Sequence, residues 1–241
     1  MIDNHTIIKD IPLQIDFGNL LQKLRVKEGS RYVDEVRRLA TEAETVARPK
    51  ALYRVAYIES KDDDSVVIDG TRLVSRVLRV NLEQAYRVFP YVATCGVELA
   101  AWASPVQDVL QHYWADAICE LALRQAIRVL QQDIADHYPG RTSAMSPGSL
   151  ADWPLEQQRA LFAVLGDTEG LIGVRLAESC LMIPTKSVSG MRFPTETSFE
   201  SCQLCPRAVC PGRRAPYDKG LYDRKYAREA CSDGLAERTV S

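Results

Sequence analysis

The chain has 241 residues, 46% of them hydrophobic, and sets 30 Lys and Arg against 32 Asp and Glu for a formal net charge of −2. That length fills one large domain, or one domain with a helical extension. The interspersed charge supplies no field drawing the chain to nucleic acid or an anionic membrane, and neither a secretory leader nor a membrane-spanning run is present, so a cytoplasmic protein working on small molecules and protein partners is expected.

Residues 1–48 read as an N-terminal helical segment. Leu20, Leu21 and Leu24 share a face, Gly29 and Ser30 interrupt it, and Val33, Val36, Leu39, Ala40 and Ala43 resume it, which predicts two helices. Pro49 closes them and opens a core over 49–200. Leu52 to Ile58 alternates like a half-buried strand, and Ser65 to Ile68 pairs back on it across the polar turn at Asp62, Asp63 and Asp64. Those three acids lack the glycine and spaced carboxylates of a calcium loop, so they read as a solvated turn. Leu73, Val74, Val77, Leu78 and Leu82 then suit a helix buried on one side.

Val88 to Cys95 reads as a strand, with a helix beginning at Val97. Cys95 at that turn suits either a nucleophile activated by a helix N-terminus or a buried structural thiol, and no histidine lies near it in sequence. The longest helical pattern runs from Pro105 to about Tyr138. On it Asp116 and Glu120 stand four apart on one face, an arrangement that suits a cationic amine or sulfonium and equally a solvated surface. Ser146, Pro147, Gly148 and Ser149 form a turn by composition, and Trp153 and Pro154 lead into another helix. Leu181 to Ile183 is a short buried-strand candidate stopped by Pro184. Ser187 to Gly190 follows as a second strand, a row of hydroxyls at Ser187 and Ser189 beside a glycine that permits close approach.

Residues 201–241 form a cysteine-rich tail. Seven cysteines is an odd number with uneven spacing, which in a reducing compartment argues for thiols and metal ligation over disulfides. Cys202 and Cys205 are spaced to hold one metal through both thiolates, and Cys210 makes a third ligand. Zinc would staple the tail, and a three-cysteine set also suits an iron–sulfur cluster with one open iron.

The stretch Ile172–Phe193 carries the most distinctive wording. Gly173, Val174, Leu176, Glu178, Ser179, Met182, Pro184, Ser187, Val188, Ser189, Gly190 and Phe193 match, without gaps, the end of the activation domain of cobalamin-dependent methionine synthase, and the chain resembles small free-standing relatives of that domain. The resemblance implies an α+β fold, a twisted and largely antiparallel sheet flanked by long helices, with a helix at the start of the matched stretch. It also implies a function: reactivation of a corrinoid methyltransferase by S-adenosylmethionine. Because no corrinoid-binding motif is present, the corrinoid must arrive on a partner methyltransferase, with an electron donor protein as a second partner, and activity is expected only together with them. By the same resemblance Ser146, Gly148 and Ser149 form the S-adenosylmethionine loop, and Ser187, Ser189 and Gly190 border the ligand.

The chain departs from the family at the ligand contacts. The family's Arg-x-x-x-Gly-Tyr arginine falls on Ala144, its tyrosine on Ser149, and a second aromatic on Arg192. A guanidinium matches a carboxylate through two parallel hydrogen bonds, so Arg141 in the same loop, slightly favoured, and Arg192 are the candidates to replace the missing cation. Asp116 and Glu120 complete the candidate set. Without the family contacts, the same scaffold also suits a docking or assembly subunit, or a metal-cluster redox partner, of a corrinoid protein.

Overall fold

The computed structural model describes residues 5–228. An eight-stranded antiparallel sheet is built around β6 (Arg87–Thr94), all of which is buried except Arg87. A strand covered on both faces reads as a continuous apolar run, and Val88 to Ala93 does. One edge of β6 takes β2 (Lys50–Arg54) and β3 (Ala56–Lys61) in succession. Its other edge takes β10 (Ser187–Pro194), which carries β7 (Thr142–Met145) beyond it. The strand β1 (His5–Ile8) pairs with β2, while β4 (Ser65–Ile68) and β5 (Thr71–Val74) continue outward from β3.

Alternation along the strands sends side chains to two faces. Ala51, Tyr53, Phe89 and Tyr91 face Ala126, Leu130 and Ile134 of α5 (Val109–His137). Leu52, Val88, Val92, Met191 and Phe193 face Trp153 and Leu161, Val164 and Leu165 of α6 (Gln158–Leu165). The first half of α5 packs instead on α1 (Phe17–Leu24), α2 (Val33–Val46) and α4 (Val97–Ala103) through Leu20, Val36, Leu39, Leu99, Trp114 and Ile118. Because its two halves serve different cores, α5 carries apolar residues on more than one side. Asp108 starts it by accepting hydrogen bonds from the N–H groups of Leu110 and Gln111, both at 2.9 Å.

The fold is α+β, with helices on both faces of a largely antiparallel sheet. Several local expectations are corrected. Leu52–Ile58 is the end of β2 and the start of β3, not one strand, and Leu73 and Val74 belong to β5, so the helix α3 (Arg76–Asn81) starts only after Ser75. Met182 and Ile183 form β9 with β8 (Arg175–Leu176) and do not pair with β10. Leu181 and Ile183 are 59% and 38% exposed, so this is not a buried strand. The helix implied for the start of the matched stretch is absent: α7 (Thr168–Ile172) stops at Gly173, whose φ of +75° reverses the chain.

Candidate functional site

The register of β10 sorts the matched residues. Gly190 lies opposite Tyr91 on β6, and Arg192 lies between Phe89 on β6 and Ala144 on β7. Val188, Gly190 and Arg192 therefore share a face with Tyr91, Ala144 and Ser146, while Ser187 and Ser189 point to the other face with Met191 and Phe193. The hydroxyls on that second face are engaged inside the protein. Ser189 is buried and donates to Gln158 Oε1 at 2.9 Å, and Ser187 reaches Thr94 Oγ1 at 2.9 Å and Pro184 O at 2.7 Å.

On the first face, Arg192 is the central polar group. Its Nη2 donates to Thr142 Oγ1 at 2.7 Å, and its Nε is buried with no partner among the described residues. Burial pulls its pKa below the ordinary guanidinium value, against the pull of Tyr91 and Glu200. Arg214 forms an ion pair with Glu200 at 3.0 Å, and both act electrostatically on Arg192 and Tyr91. The phenol of Tyr91 is pushed up by burial, and its Oη and Ser146 Oγ both crowd the space beside Gly190. Tyr91 was not singled out by sequence because it sits in an apolar strand; the only signal was a polar tip in a buried run.

Gly190 explains itself by this packing. A Cβ there would stand 2.6 Å from Ser146 Oγ and 2.7 Å from both Met145 O and Tyr91 Oη, so the close approach at Gly190 is made by the protein's own groups. Gly148 has a φ of +79° and donates its N–H to Trp153 O at 2.7 Å. The hydroxyl of Ser149 reaches back to Ser146 O at 2.6 Å and lies 3.5 Å from Ser201 Oγ, which ties the turn to the tail. Asp152 holds the same loop from below, accepting from the hydroxyl of Ser75 and from the N–H of Val77.

The remaining candidates lie apart from this group. Arg141 is exposed and donates to Glu196 O at 2.9 Å; three residues before Ala144, it has the opposite strand parity. Asp116 pairs with Lys186 at 2.9 Å, beside Ser187. Glu120 pairs with Lys23 at 3.0 Å and Arg124 at 2.6 Å, which hold its carboxyl below the usual range despite partial burial. Five residues at about 3.3 Å per residue put Ser187 and Arg192 roughly 16 Å apart along β10. The acidic pair thus belongs to the Ser187 end, while Tyr138 packs on Phe89 at the Arg192 end.

The tail approaches Arg192 only through Glu200 and Arg214, while its buried residues Phe199 and Tyr226 pack in the core with Met191 and Phe193. Among the described residues no three His, Cys, Asp or Glu side chains converge as a metal would require, so Cys202, Cys205 and Cys210 do not form a ready ligand set as they stand. A guanidinium organises the loop instead. Arg213 donates to the carbonyl oxygens of Cys202, Ala215, Cys205 and Arg207. The Cys202 thiol accepts from the N–H of Arg214 at 3.4 Å, and this backbone contact lowers its pKa.

No helix among the described residues is long and apolar enough to cross a membrane. No family model matches the chain, and no curated protein does. Among solved structures, the chain is similar to the MetH reactivation domain in its crystal structure bound to AdoHcy, at 14% sequence identity and a TM-score of 0.54, covering 82% of this chain and 81% of that one; the likeness is one of fold.

Proposed function

We propose that this protein reactivates a corrinoid-dependent methyltransferase by binding S-adenosylmethionine on the face shared by β10 and β7. There it would orient the methyl group toward the reduced cobalt of a corrinoid carried by a partner protein, after an electron donor protein has restored the metal. The observation that carries this reading is the register of Arg192 opposite Ala144. A cation absent from one strand is present on its neighbour, at the same level and on the same face. The fold shared with a domain solved with AdoHcy supports the same ligand class.

The residues present fit such a ligand at its carboxylate end. A buried Nε without a partner is a donor awaiting an acceptor, and a carboxylate is the acceptor that a guanidinium matches best. Bound S-adenosylmethionine would supply a methyl on a sulfonium, already a good leaving group, so that no protein base is needed. The protein's share is then positioning. Arg192 holds the carboxylate, the turn at Gly148 and Ser149 brings backbone close to the ligand, and the Tyr91 to Ser146 contact keeps that turn in place. Arg214 and Glu200, paired with each other, act electrostatically on Arg192 from the tail side.

Isothermal titration of the full chain with S-adenosylmethionine and S-adenosylhomocysteine tests this, with one site expected for each. No heat at millimolar ligand would discard the ligand claim and leave a docking subunit of a corrinoid protein. Adding the chain to an inactive cobalt(II) corrinoid protein with a one-electron donor should restore methylation only when S-adenosylmethionine is present.

A further inference from the structure

A cleft of about 650 Å³ opens between the connection from α1 to α2 and the first turns of α5. That volume lies within the range of small-molecule sites, about 300–1,000 Å³. Leu24, Val26, Tyr32 and Leu110 give it apolar walls. Trp114 also lines it, is 1% exposed, and has an indole N–H with no hydrogen-bond partner among the described residues. Burying a donor without an acceptor is unfavourable, and such a group in the wall of a cleft points to an acceptor brought by a ligand.

The charge at the cleft selects among acceptors. Arg25 and Lys27 line it, neither makes an ion pair among the described residues, and no Asp or Glu is part of the lining. Arg25 also holds a left-handed conformation, φ +56°, at the end of α1. Glycine takes that conformation at lower cost, so a cation stands where backbone preference favours another residue. Tyr32 packs edge-on against Trp114, ring centroids 5.6 Å apart, and stiffens that part of the lining.

We infer that this cleft binds a small organic carboxylate with an apolar body. The body covers the leucine and valine walls, and the oxygens meet the indole N–H and the unpaired cations. The site is separate from the β10 and β7 face and does not depend on the function proposed for it.

Octanoate, 1-octanol and inorganic phosphate, titrated into the full chain by calorimetry with tryptophan emission as a second signal, provide the test. Octanoate should bind saturably at one site, while octanol and phosphate bind at least ten-fold more weakly. Arg25→Gly combined with Lys27→Ala should weaken octanoate at least ten-fold without lowering the melting temperature, because glycine accepts the left-handed turn. Trp114→Phe, which keeps the ring and removes the donor, should weaken it several-fold. Octanol or phosphate binding as tightly as octanoate, unchanged affinity in the double variant, or no saturable binding at millimolar octanoate would each overturn the inference.

Discussion

Arg192 and Arg141 differ in what surrounds them more than in what they are. Arg192 is half-buried with an unsatisfied Nε on the face of Ala144, whereas Arg141 is exposed and already bound to a backbone carbonyl. Arg192→Ala should therefore weaken S-adenosylmethionine binding by about 1.5–3 kcal/mol, and Arg141→Ala by less than about 0.5 kcal/mol, both read by calorimetry. Equal losses at the two sites would contradict the assignment. Gly190 is a different kind of residue. Its missing Cβ is filled by Tyr91, Ser146 and a main-chain carbonyl that cannot swing aside, so Gly190→Val should destabilise the fold by about 1–3 kcal/mol in thermal or urea melts, before any ligand is added.

At the scale of elements, the tail is held by two side chains with opposite chemistry. Arg213 ties the loop from Cys202 to Ala215 through four carbonyl oxygens, and Arg213→Ala should expose it to proteolysis and cost about 1–3 kcal/mol. Beyond it, Tyr226, in the short helix-capping position after α8 (Leu221–Lys225), is fully buried against Phe199, and its hydroxyl donates to Asn81 Oδ1 at 2.9 Å. Burial pushes its phenol up to about 12. An unfolded phenol titrates near 10, so the folded state holds this proton more tightly. The resulting stabilisation is complete below about pH 10 and is lost as pH rises through 12. Phenolate absorbance should accordingly show one tyrosine titrating near 12, tail cleavage should rise over the same range, and Tyr226→Phe should remove that titration step.

On the scale of the whole molecule, the N-terminal helices are part of the packing that holds α5. Val36, Leu39 and Ala43 are buried with Leu99, Trp114 and Ile118, and β1 covers the edge of β2. Removing residues 1–48 would strip these from water-free contact and bare an unpaired strand edge. The shortened chain should melt at lower temperature and associate, as read by calorimetry and size-exclusion chromatography. A monomer with an unchanged melting temperature would show that residues 49–241 fold independently.

Much of the architecture was legible locally. The periodicity of Leu20 to Ala43, the apolar run of Val88 to Ala93 and the long pattern ending at Tyr138 each mark an element, because burial on one or both faces imposes a spacing that neighbours in sequence reveal. Elements too short for a period were less legible: β1 owes its existence to β2, distant in the chain, and β5, paired with β4 across the turn at Asp69 and Gly70, reads by itself as the start of the following helix. The wording from Ser187 to Gly190 marked β10, yet which hydroxyls were spent on Gln158 and Thr94 depended on strand parity and on α6. Sequence left Arg141 and Arg192 as alternatives for one role. Only the pairing of β7 with β10 set Arg192 beside Ala144, since a one-residue change of register sends a side chain to the opposite face, and register is a property of two strands together.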